Sequence, residues 1–157
     1  MDGISGESKV KISGVILLGL LAYTCGCNNS MADFGDAKAE KTYTLYPIGK
    51  VVRDQAHTFI VLDKRYQPGL MGMEEFSEVT VVYWFDRNDT PEKRSILKVH
   101  PRGNESNPLR GVFTTHAPMR PNLIAISRCK ILSVKDNVIE IDEIDAFDDS
   151  PVLDLKG

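Results

Sequence analysis

Two alternating runs of apolar and polar residues near the end of the chain constrain the fold most. The first run is IAISRCKIL at 124–132, and the second is VIEIDEI at 138–144. Ile139 and Ile141 share one side of the second run, as a strand with a side-chain period of two requires. The residues KDN at 135–137 are typical of a turn. The segment therefore predicts a β-hairpin.

Other strand-length runs precede this hairpin, and no segment shows a sustained period of 3.6 over a helical length. These runs are YTLYPIGKVV at 43–52, FIVL at 59–62, EVTVVYWF at 78–85 and ILKVH at 96–100. Pro47 and Gly49 interrupt the first run, which indicates an edge strand or a bulge. Short strands separated by turns predict a mainly all-β chain with little helix, folded as a barrel or a sandwich. Long loops at the rims of such a fold are natural places for chemistry.

Residues 1–30 differ in character from the rest of the chain. Lys9 and Lys11 precede the uncharged apolar run ISGVILLGLLAY at 12–23. This run is shorter than the ~20 residues of a membrane-spanning helix, but it matches the ~7–15-residue apolar core of a secretory signal. A cysteine after a small residue at the end of such a core, here Cys27, resembles the lipidated residue of a bacterial lipoprotein. The segment thus predicts export and membrane anchoring through a lipidated N-terminus.

Two alternatives to a lipoprotein signal remain open for the same residues. Residues 1–30 are then either a plain signal peptide or an upstream extension of a chain that starts at Met31. On each interpretation 31–42 is a polar linker and 43–157 is a single domain. A chain of 157 residues is long enough for one domain with its own core.

Charge is distributed unevenly, although the formal net charge is only −3. Residues 93–130 contain eight Lys or Arg against a single acid, Glu105, and residues 131–157 contain two lysines against eight acids. A concentrated positive face attracts phosphates or other anions, including nucleic acid. The alternative is a solvated surface of mixed charge.

Several common sites have no motif in this sequence. There is no GxGxxG or P-loop, and no nucleophile elbow. His57, His100 and His116 are scattered without the spacing of metal ligands, so we expect no metal site. Cys129 is the single cysteine of the domain, which predicts a small buried apolar residue and no disulfide framework.

Three stretches look unlike core and together carry a family resemblance. They are YQPGLMGMEEFSEVTVVYWFD at 66–86, LKVHPRGNESNPLRGVFTTHAPMRPN at 97–122 and IDEIDAFDDSPVLDLK at 141–156. In order and spacing they resemble the TsaA-like, or TrmO, family over residues 45–156. The family pattern has a Glu-x-Phe-Ser-His turn into a strand and a Gly-Val-Phe-Ala-Thr-Arg-Ser-Pro-x-Arg-Pro-Asn loop. An Asp-Ala-x-Asp-Gly-Thr-Pro-Val-Leu-Asp segment follows.

The resemblance implies a fold and an activity. Members are compact single β-barrels that form homodimers and bind S-adenosyl-L-methionine without a Rossmann domain. The activity implied is methylation of a nitrogen of threonylcarbamoyladenosine, next to the anticodon of tRNA. The basic stretch 93–130 would then contact the tRNA.

The resemblance also implies site residues. The positions carried over as cofactor-binding are Asp86, Arg87, His116, Ile126, Asp142, Glu143, Ile144 and Asp145. Arg120 and Asn122 are candidates for catalysis, since an arginine pairs with a carboxylate or phosphate and an asparagine reads an amide or a base edge. The alternative for these two residues is a proline-stiffened turn in which they tie down neighbouring carbonyls or the acidic segment.

The chain departs from the family pattern at several of these places. His116 stands where the family has arginine, which removes a fixed positive charge because histidine is charged only part of the time near neutral pH. Ala125 and Asp149 stand where the family has glycine, which restricts the backbone where a ligand approaches. Glu78 stands where the family has a histidine after Phe-Ser, and Asp86 stands where short members have a histidine at the end of the aromatic strand. These changes predict an intact fold and a weaker cofactor site.

Two functions follow, and they belong in different compartments. The first is an S-adenosyl-L-methionine-dependent tRNA methyltransferase, which is cytoplasmic and starts at Met31. The second is an exported lipoprotein that uses the barrel as a non-enzymatic module to bind a ligand or protein. The ordered motifs favour the first function, and the apolar N-terminal run favours the second.

Overall fold

A computed structural model of the chain describes residues 10–11, 41–54 and 56–157. Within this part the chain is mainly β, with ten strands, one short α-helix and five 3₁₀ segments. The strands are β1 Val10–Lys11, β2 Thr44–Leu45, β3 Gly49–Arg53, β4 Thr58–Leu62, β5 Glu78–Trp84, β6 Lys98–Val99, β7 Arg110–Gly111, β8 Ile124–Lys135, β9 Val138–Ile141 and β10 Pro151–Lys156. The helix α1 is Pro91–Arg94, and the 3₁₀ segments are Lys64–Leu70, Met73–Glu75, Asp86–Asn88, Pro101–Gly103 and Val112–Thr114.

Six of the strands close into an antiparallel barrel. Their order is β10-β3-β4-β9-β8-β5, with β5 and β10 pairing to close it. The longest ladder joins β5 to β8, from Glu78 opposite Lys130 to Trp84 opposite Ile124. The predicted all-β fold is therefore confirmed, and of the two architectures left open, the barrel is the one formed. Closure also removes the free edges that an open sheet would expose.

The predicted hairpin forms with shifted ends. β8 and β9 pair across a turn at 136–137, as expected, but β8 runs on to Lys135 and β9 stops at Ile141. A register shift between Ile131 and Ser133 bends this ladder. β9 ends at Ile141 because the Lys130 N–H donates to the Asp142 carboxylate instead of to a backbone carbonyl, although the Asp142 N–H still donates to the Lys130 carbonyl.

The core lies inside the barrel and follows the alternation of the strands. Its fully buried members include Val51, Ile60, Val81 and Ile139. Cys129 is also buried, as predicted, and burial raises the pKa of its thiol to about 11. A thiol with this pKa stays protonated near neutral pH and behaves as a small apolar side chain.

The acidic third stretch contributes a strand that its sequence did not predict. β10 pairs with β3 and β5 and so completes the barrel. The turn before β10 contains Asp149, which has a left-handed φ of 65° at the position where the family pattern has glycine. Aspartate tolerates this region better than most residues, and the Lys50 ammonium lies 2.6 Å from the Asp149 carboxylate. The turn therefore keeps its conformation without the glycine.

The N-terminal predictions fall outside the described residues. These are the apolar run at 12–23, the lipidation site at Cys27 and the start at Met31. In the part of the chain that the structure describes, no helix is long and apolar enough to cross a membrane. The domain limits and the homodimer also stay predictions.

Candidate functional site

A cavity of about 670 Å³ opens where β5 and β8 meet the loop that follows β7. Pockets of about 300–1,000 Å³ are the usual size for small-molecule ligands. The cavity is lined by Tyr83, Phe85, Phe113, Thr114, Thr115, His116, Arg120, Ile124, Ala125, Ile126, Ser127 and Asp145. Its walls thus combine aromatic rings, hydroxyl groups, a carboxylate and two basic side chains.

Arg120 organises the loop 111–122 at the mouth of this cavity. Its Nη2 atom donates to the carbonyl oxygens of Val112 and Thr115, each at 2.7 Å. The Val112 side chain is fully buried, and the backbone N–H of Val112 donates to the Leu97 carbonyl at 3.0 Å. The Nε of Arg120 is buried and has no hydrogen-bond partner within the described residues. The loop is therefore folded around the arginine, which keeps one donor unused.

Arg94 of α1 anchors the other end of the same loop. Its Nη1 donates to the Pro121 carbonyl at 2.7 Å, and its Nε lies 2.8 Å from the Asp89 carboxylate. The guanidinium also stacks over the Trp84 ring, with Cζ 5.3 Å from the ring centroid. The Arg94 guanidinium lowers the pKa of the Asp89 carboxyl. Sequence reasoning missed this anchor, although Thr90 followed by Pro91 is a typical helix start that could have indicated α1.

The acidic segment 142–150 connects β9 to β10 and passes the cavity at Asp145. At its start, the Asp142 carboxylate accepts the Lys130 N–H at 2.9 Å. Hydrogen bonds from backbone N–H groups, that of Glu143 above all, lower the pKa of Asp142. The Asp145 carbonyl accepts a hydrogen bond from the Tyr83 hydroxyl at 2.5 Å, and the Ile144 carbonyl accepts one from the Arg53 guanidinium.

Comparison with known families identifies the protein family to which this barrel belongs. The sequence profile of the tRNA-methyltransferase O N-terminal domain matches residues 40–157, about three quarters of the chain. The chain belongs to the TrmO N-terminal domain family. The predicted family is thereby confirmed.

Relatives with high identity are named for their ligand. The chain is 45% identical over 114 residues to a probable S-adenosyl-L-methionine-binding protein of Methanocaldococcus jannaschii, covering 73% of this chain and 90% of that protein. It is 40% identical over 116 residues to a probable S-adenosyl-L-methionine-binding protein of Pyrococcus horikoshii, covering 74% of this chain and 82% of that protein.

Longer relatives match over part of their length. A mouse tRNA (adenine(37)-N6)-methyltransferase is 36% identical over 87 residues, which is 55% of this chain and 20% of the enzyme. The crystal structure of TrmO from Pseudomonas aeruginosa aligns with a TM-score of 0.55 at 22% identity, covering 74% of this chain and 55% of that one. This similarity supports the barrel fold, and the chain spans little more than half of that structure.

The cavity brings together four of the residues that the TrmO resemblance had indicated. His116, Ile126 and Asp145 line it, and so does the catalytic candidate Arg120. They come from the loop 111–122, from β8, which follows it directly, and from the acidic segment, which follows β9. Of the site residues that the family resemblance implies, these four are therefore the ones that a single ligand in the cavity can contact together.

The other carried-over positions do not line this cavity. Asp86 accepts a hydrogen bond from the Ser150 hydroxyl at 3.4 Å, and the Arg87 guanidinium lies 4.0 Å from the centroid of the Phe147 ring. Both contacts join the end of β5 to the acidic segment. The remaining positions outside the cavity lining are Asn122, Asp142, Glu143 and Ile144. The role of all six in binding or catalysis stays a prediction.

Exposed apolar side chains form part of the cavity wall, and sequence reasoning did not select most of them. Phe113 is 79% exposed and Ile126 is 56% exposed. Large exposed apolar side chains beside a cavity are typical of a ligand-binding site, where they pack against the bound ligand. Phe113 lies inside the family motif, so that motif could have indicated it. Tyr83 and Ser127 carry no such signal, because they belong to strands whose alternation explains them as core.

Proposed function

We propose that the chain is an S-adenosyl-L-methionine-dependent methyltransferase that acts on tRNA. The observation that carries this proposal is the cavity lined by His116, Arg120 and Asp145. It occurs in a chain that aligns with nine tenths of a relative named for binding S-adenosyl-L-methionine. The proposed substrate in finer detail is threonylcarbamoyladenosine beside the anticodon, methylated on nitrogen.

The chemistry of the cavity suits this cofactor. S-adenosyl-L-methionine presents an adenine, a ribose diol, and a methionine end with one carboxylate and one ammonium. Phe113 and Ile126 offer apolar surface for a flat base, and the Asp145 carboxylate can accept from a ribose hydroxyl or from the ammonium. The unpartnered Nε of Arg120 and the imidazole of His116 are donors for a carboxylate. Each part of the cofactor therefore has a matching group.

The protein's task in this reaction is orientation. The cofactor supplies a methyl group on a sulfonium, which is electrophilic without further activation. The aromatic wall of Phe85 and Phe113 would exclude water, and the fixed loop 111–122 would hold the acceptor nitrogen in line. Alignment of two reactants contributes many orders of magnitude in rate, so a site without an acid–base triad is sufficient.

The basic stretch supports a tRNA partner. Lys98, Arg102 and Arg110 are exposed in the chain before the site loop, and Arg128 is exposed beyond Ile126 on β8. Exposed cations before the site loop and on β8 can contact a phosphate backbone. Of these four, Arg128 also lies 2.5 Å from the Glu78 carboxylate.

Calorimetry with S-adenosyl-L-methionine tests the cofactor. We expect micromolar binding to the full-length chain, and Asp145→Asn should weaken it about 10- to 100-fold, because a hydrogen bond to a charged group is lost. Glu105→Gln makes the same change of charge at an exposed residue outside the cavity lining and should leave the affinity unchanged.

A second ligand shows which end of the cofactor Asp145 holds. Methylthioadenosine has the adenine and ribose but no amino-acid end. If Asp145 binds the ribose, the substitution weakens both ligands equally; if it binds the ammonium, only S-adenosyl-L-methionine is affected. An Asp145→Asn chain that binds both ligands as tightly as the original would exclude this role, and no heat at millimolar cofactor would exclude the proposed function.

The second candidate function is an exported, lipid-anchored binding module. It is favoured by the apolar run at 12–23, by Cys27, and by His116 in place of the family arginine. In that case the same cavity would bind an anionic small molecule or a peptide without methyl transfer.

A further inference from the structure

Two barrel side chains hold consecutive carbonyl groups of the acidic segment beside the cavity. The Tyr83 hydroxyl of β5 donates to the Asp145 carbonyl at 2.5 Å. The Arg53 guanidinium of β3 donates to the Ile144 carbonyl. Among the hydrogen bonds of the described residues, only these two join residues 144–146 to barrel strands. The middle of this segment has no ladder of its own, so these two bonds, together with the burial of the Ile144 side chain in the core, hold its backbone in place.

The ends of the segment are held separately. At the start, Asp142 exchanges hydrogen bonds with the backbone of Lys130. At the end, the Asp148 carboxylate accepts the Arg53 N–H at 2.8 Å, and the Asp149 N–H donates to the Val51 carbonyl at 2.9 Å. Losing a bond in the middle should therefore loosen the part that carries Asp145 without detaching the segment from the barrel.

The Tyr83 hydroxyl is placed for this task by the strand itself. Val79, Val81 and Tyr83 are the inward side chains of β5, and Tyr83 is only 2% exposed. A buried tyrosine hydroxyl needs a hydrogen-bond partner, which the Asp145 carbonyl provides. Burial also raises the pKa of Tyr83, so the hydroxyl remains a donor well into alkaline conditions. Its ring meets Phe85 edge-on at 5.6 Å, a contact that phenylalanine would keep.

We propose that Tyr83 and Arg53 are positioning residues for the ligand site, which hold the backbone at Ile144 and Asp145 so that Asp145 stays at the cavity wall. The inference rests on the proposed function for the identity of the ligand. No sequence motif selects either residue, because one belongs to the alternation of β5 and the other ends β3. They act through Asp145 rather than on the reacting atoms.

Tyr83→Phe in the full-length chain is the decisive variant. It removes one hydroxyl and keeps the ring, so the melting temperature should change little. We expect the Kd for S-adenosyl-L-methionine to rise about 3- to 10-fold, as the loss of the hydrogen bond to the Asp145 carbonyl predicts. The longer contact of the Tyr83 hydroxyl with the Ser127 Oγ, at 3.4 Å, is lost as well. Hydrogen–deuterium exchange should become faster in a peptide covering 142–150 and stay unchanged in β4. Tyr46→Phe, at a half-exposed tyrosine with no hydrogen bond among the described residues, is the matched control.

Arg53 is tested by a pair of substitutions. Arg53→Met removes the donor and should accelerate exchange in 142–150 and raise the Kd, whereas Arg53→Lys keeps a cationic donor and should restore part of the affinity. A purely structural role would lower the melting temperature and would accelerate hydrogen–deuterium exchange in every peptide. Equal affinity and equal exchange in Tyr83→Phe and the original chain would overturn the proposal.

The same experiments separate this inference from the proposed function. If the original chain binds no S-adenosyl-L-methionine, the proposed function fails, and exchange alone then decides the positioning role. Faster exchange over 142–150 in Tyr83→Phe would still support the two bonds as the anchor of that segment. Unchanged exchange would overturn the positioning role whatever the cofactor result.

Discussion

Arg120 shows how one side chain can define a loop that has little regular structure. Its guanidinium donates to two backbone carbonyls of the loop 111–122, and the buried Nε has no partner in the part of the chain that the structure describes. A charged donor bound to two carbonyls is stronger than a neutral one. The arginine therefore holds the loop together through both carbonyl bonds. Asn122 is exposed and makes no hydrogen bond within the described residues.

Replacing Arg120 by methionine should destabilise the fold. The change removes both carbonyl bonds and leaves the Thr115 carbonyl without its donor, whereas the Val112 carbonyl keeps the N–H and hydroxyl of Thr115. We therefore expect the free energy of unfolding to fall by about 1–3 kcal/mol. Urea unfolding measures this difference. Arg110→Met, at an exposed arginine of β7 whose side chain makes no hydrogen bond among the described residues, should change the same quantity little. Equal stability of the two variants would show that the carbonyl bonds do not hold the loop.

At the scale of elements, β3 and β4 approach so closely at Gly49 that no side chain fits there. A Cβ on Gly49 would lie 2.3 Å from the Val61 carbonyl oxygen and 2.7 Å from the Leu62 Cα. Both neighbours are backbone atoms, which cannot move aside without breaking the β3–β4 ladder. The glycine that seemed to interrupt the first strand run is thus the residue that allows this pairing.

Gly49→Ala should therefore lower the free energy of unfolding by about 1–3 kcal/mol or more, as overpacking does. Thermal or urea unfolding measures the loss. Gly111→Ala in β7 is the matched control, because its Cβ would meet its nearest atom, the Leu97 carbonyl oxygen, only at 4.0 Å. Equal stability of the two alanine variants would contradict the explanation that β3 and β4 leave no room for a side chain at position 49.

The corner formed by Trp84, Asp89 and Arg94 gives the second prediction about elements. The pKa of Asp89 lies below its ordinary value of 3.8 in the folded state. A carboxyl with a lowered folded pKa stabilises the fold above its unfolded pKa, and this contribution is lost as the pH falls through the folded pKa. Because the pair is partly exposed, the effect should be modest and weakened by salt.

The Asp89→Asn variant should consequently lose less stability than the original chain as the pH falls. We expect the difference in melting temperature between this variant and the original chain to be largest near neutral pH and to shrink below about pH 4. Thermal unfolding between about pH 3 and pH 7 measures it. A difference that stays constant over this range would mean that the pair with Arg94 has no part in the pH dependence.

For the whole molecule, the two candidate functions require different compartments. S-adenosyl-L-methionine and tRNA belong in the cytoplasm, whereas the run at 12–23 with Cys27 predicts export. The barrel itself suits either setting, since fold alone does not determine function. The location of the chain therefore decides which ligands the cavity can meet.

Fractionation of cells that express the full-length chain with a C-terminal epitope tag tests this point. If the proposed methyltransferase function holds, the tagged protein should be recovered with the cytosol and begin at Met31. Recovery with membranes, together with lipid labelling that Cys27→Ser abolishes, would contradict this and favour the exported module. A Cys129→Ser variant, which changes a buried cysteine of the barrel, is the control for labelling.

The sequence by itself determined five of the six barrel strands, the hairpin and the family, because these depend on local alternation and on ordered motifs. Ile139 and Ile141 are buried as their pattern indicated, and the motifs led to four cavity residues, His116, Arg120, Ile126 and Asp145. The ends of the hairpin strands were not determined in this way. Where β9 ends depends on a bond between Asp142 and Lys130 that no local pattern encodes.

Only the tertiary structure decided which residues meet at the cavity. Closing the barrel brings β3 and β5 beside the acidic segment, so Arg53 and Tyr83 reach carbonyls that lie 91 and 62 residues further along the chain. It also places Arg94 on Pro121 and the donors of Arg120 inside the loop. Hydrogen bonds between a side chain and a distant backbone carbonyl depend on strand order and register. They leave no periodic trace in the sequence, because every residue presents the same carbonyl group.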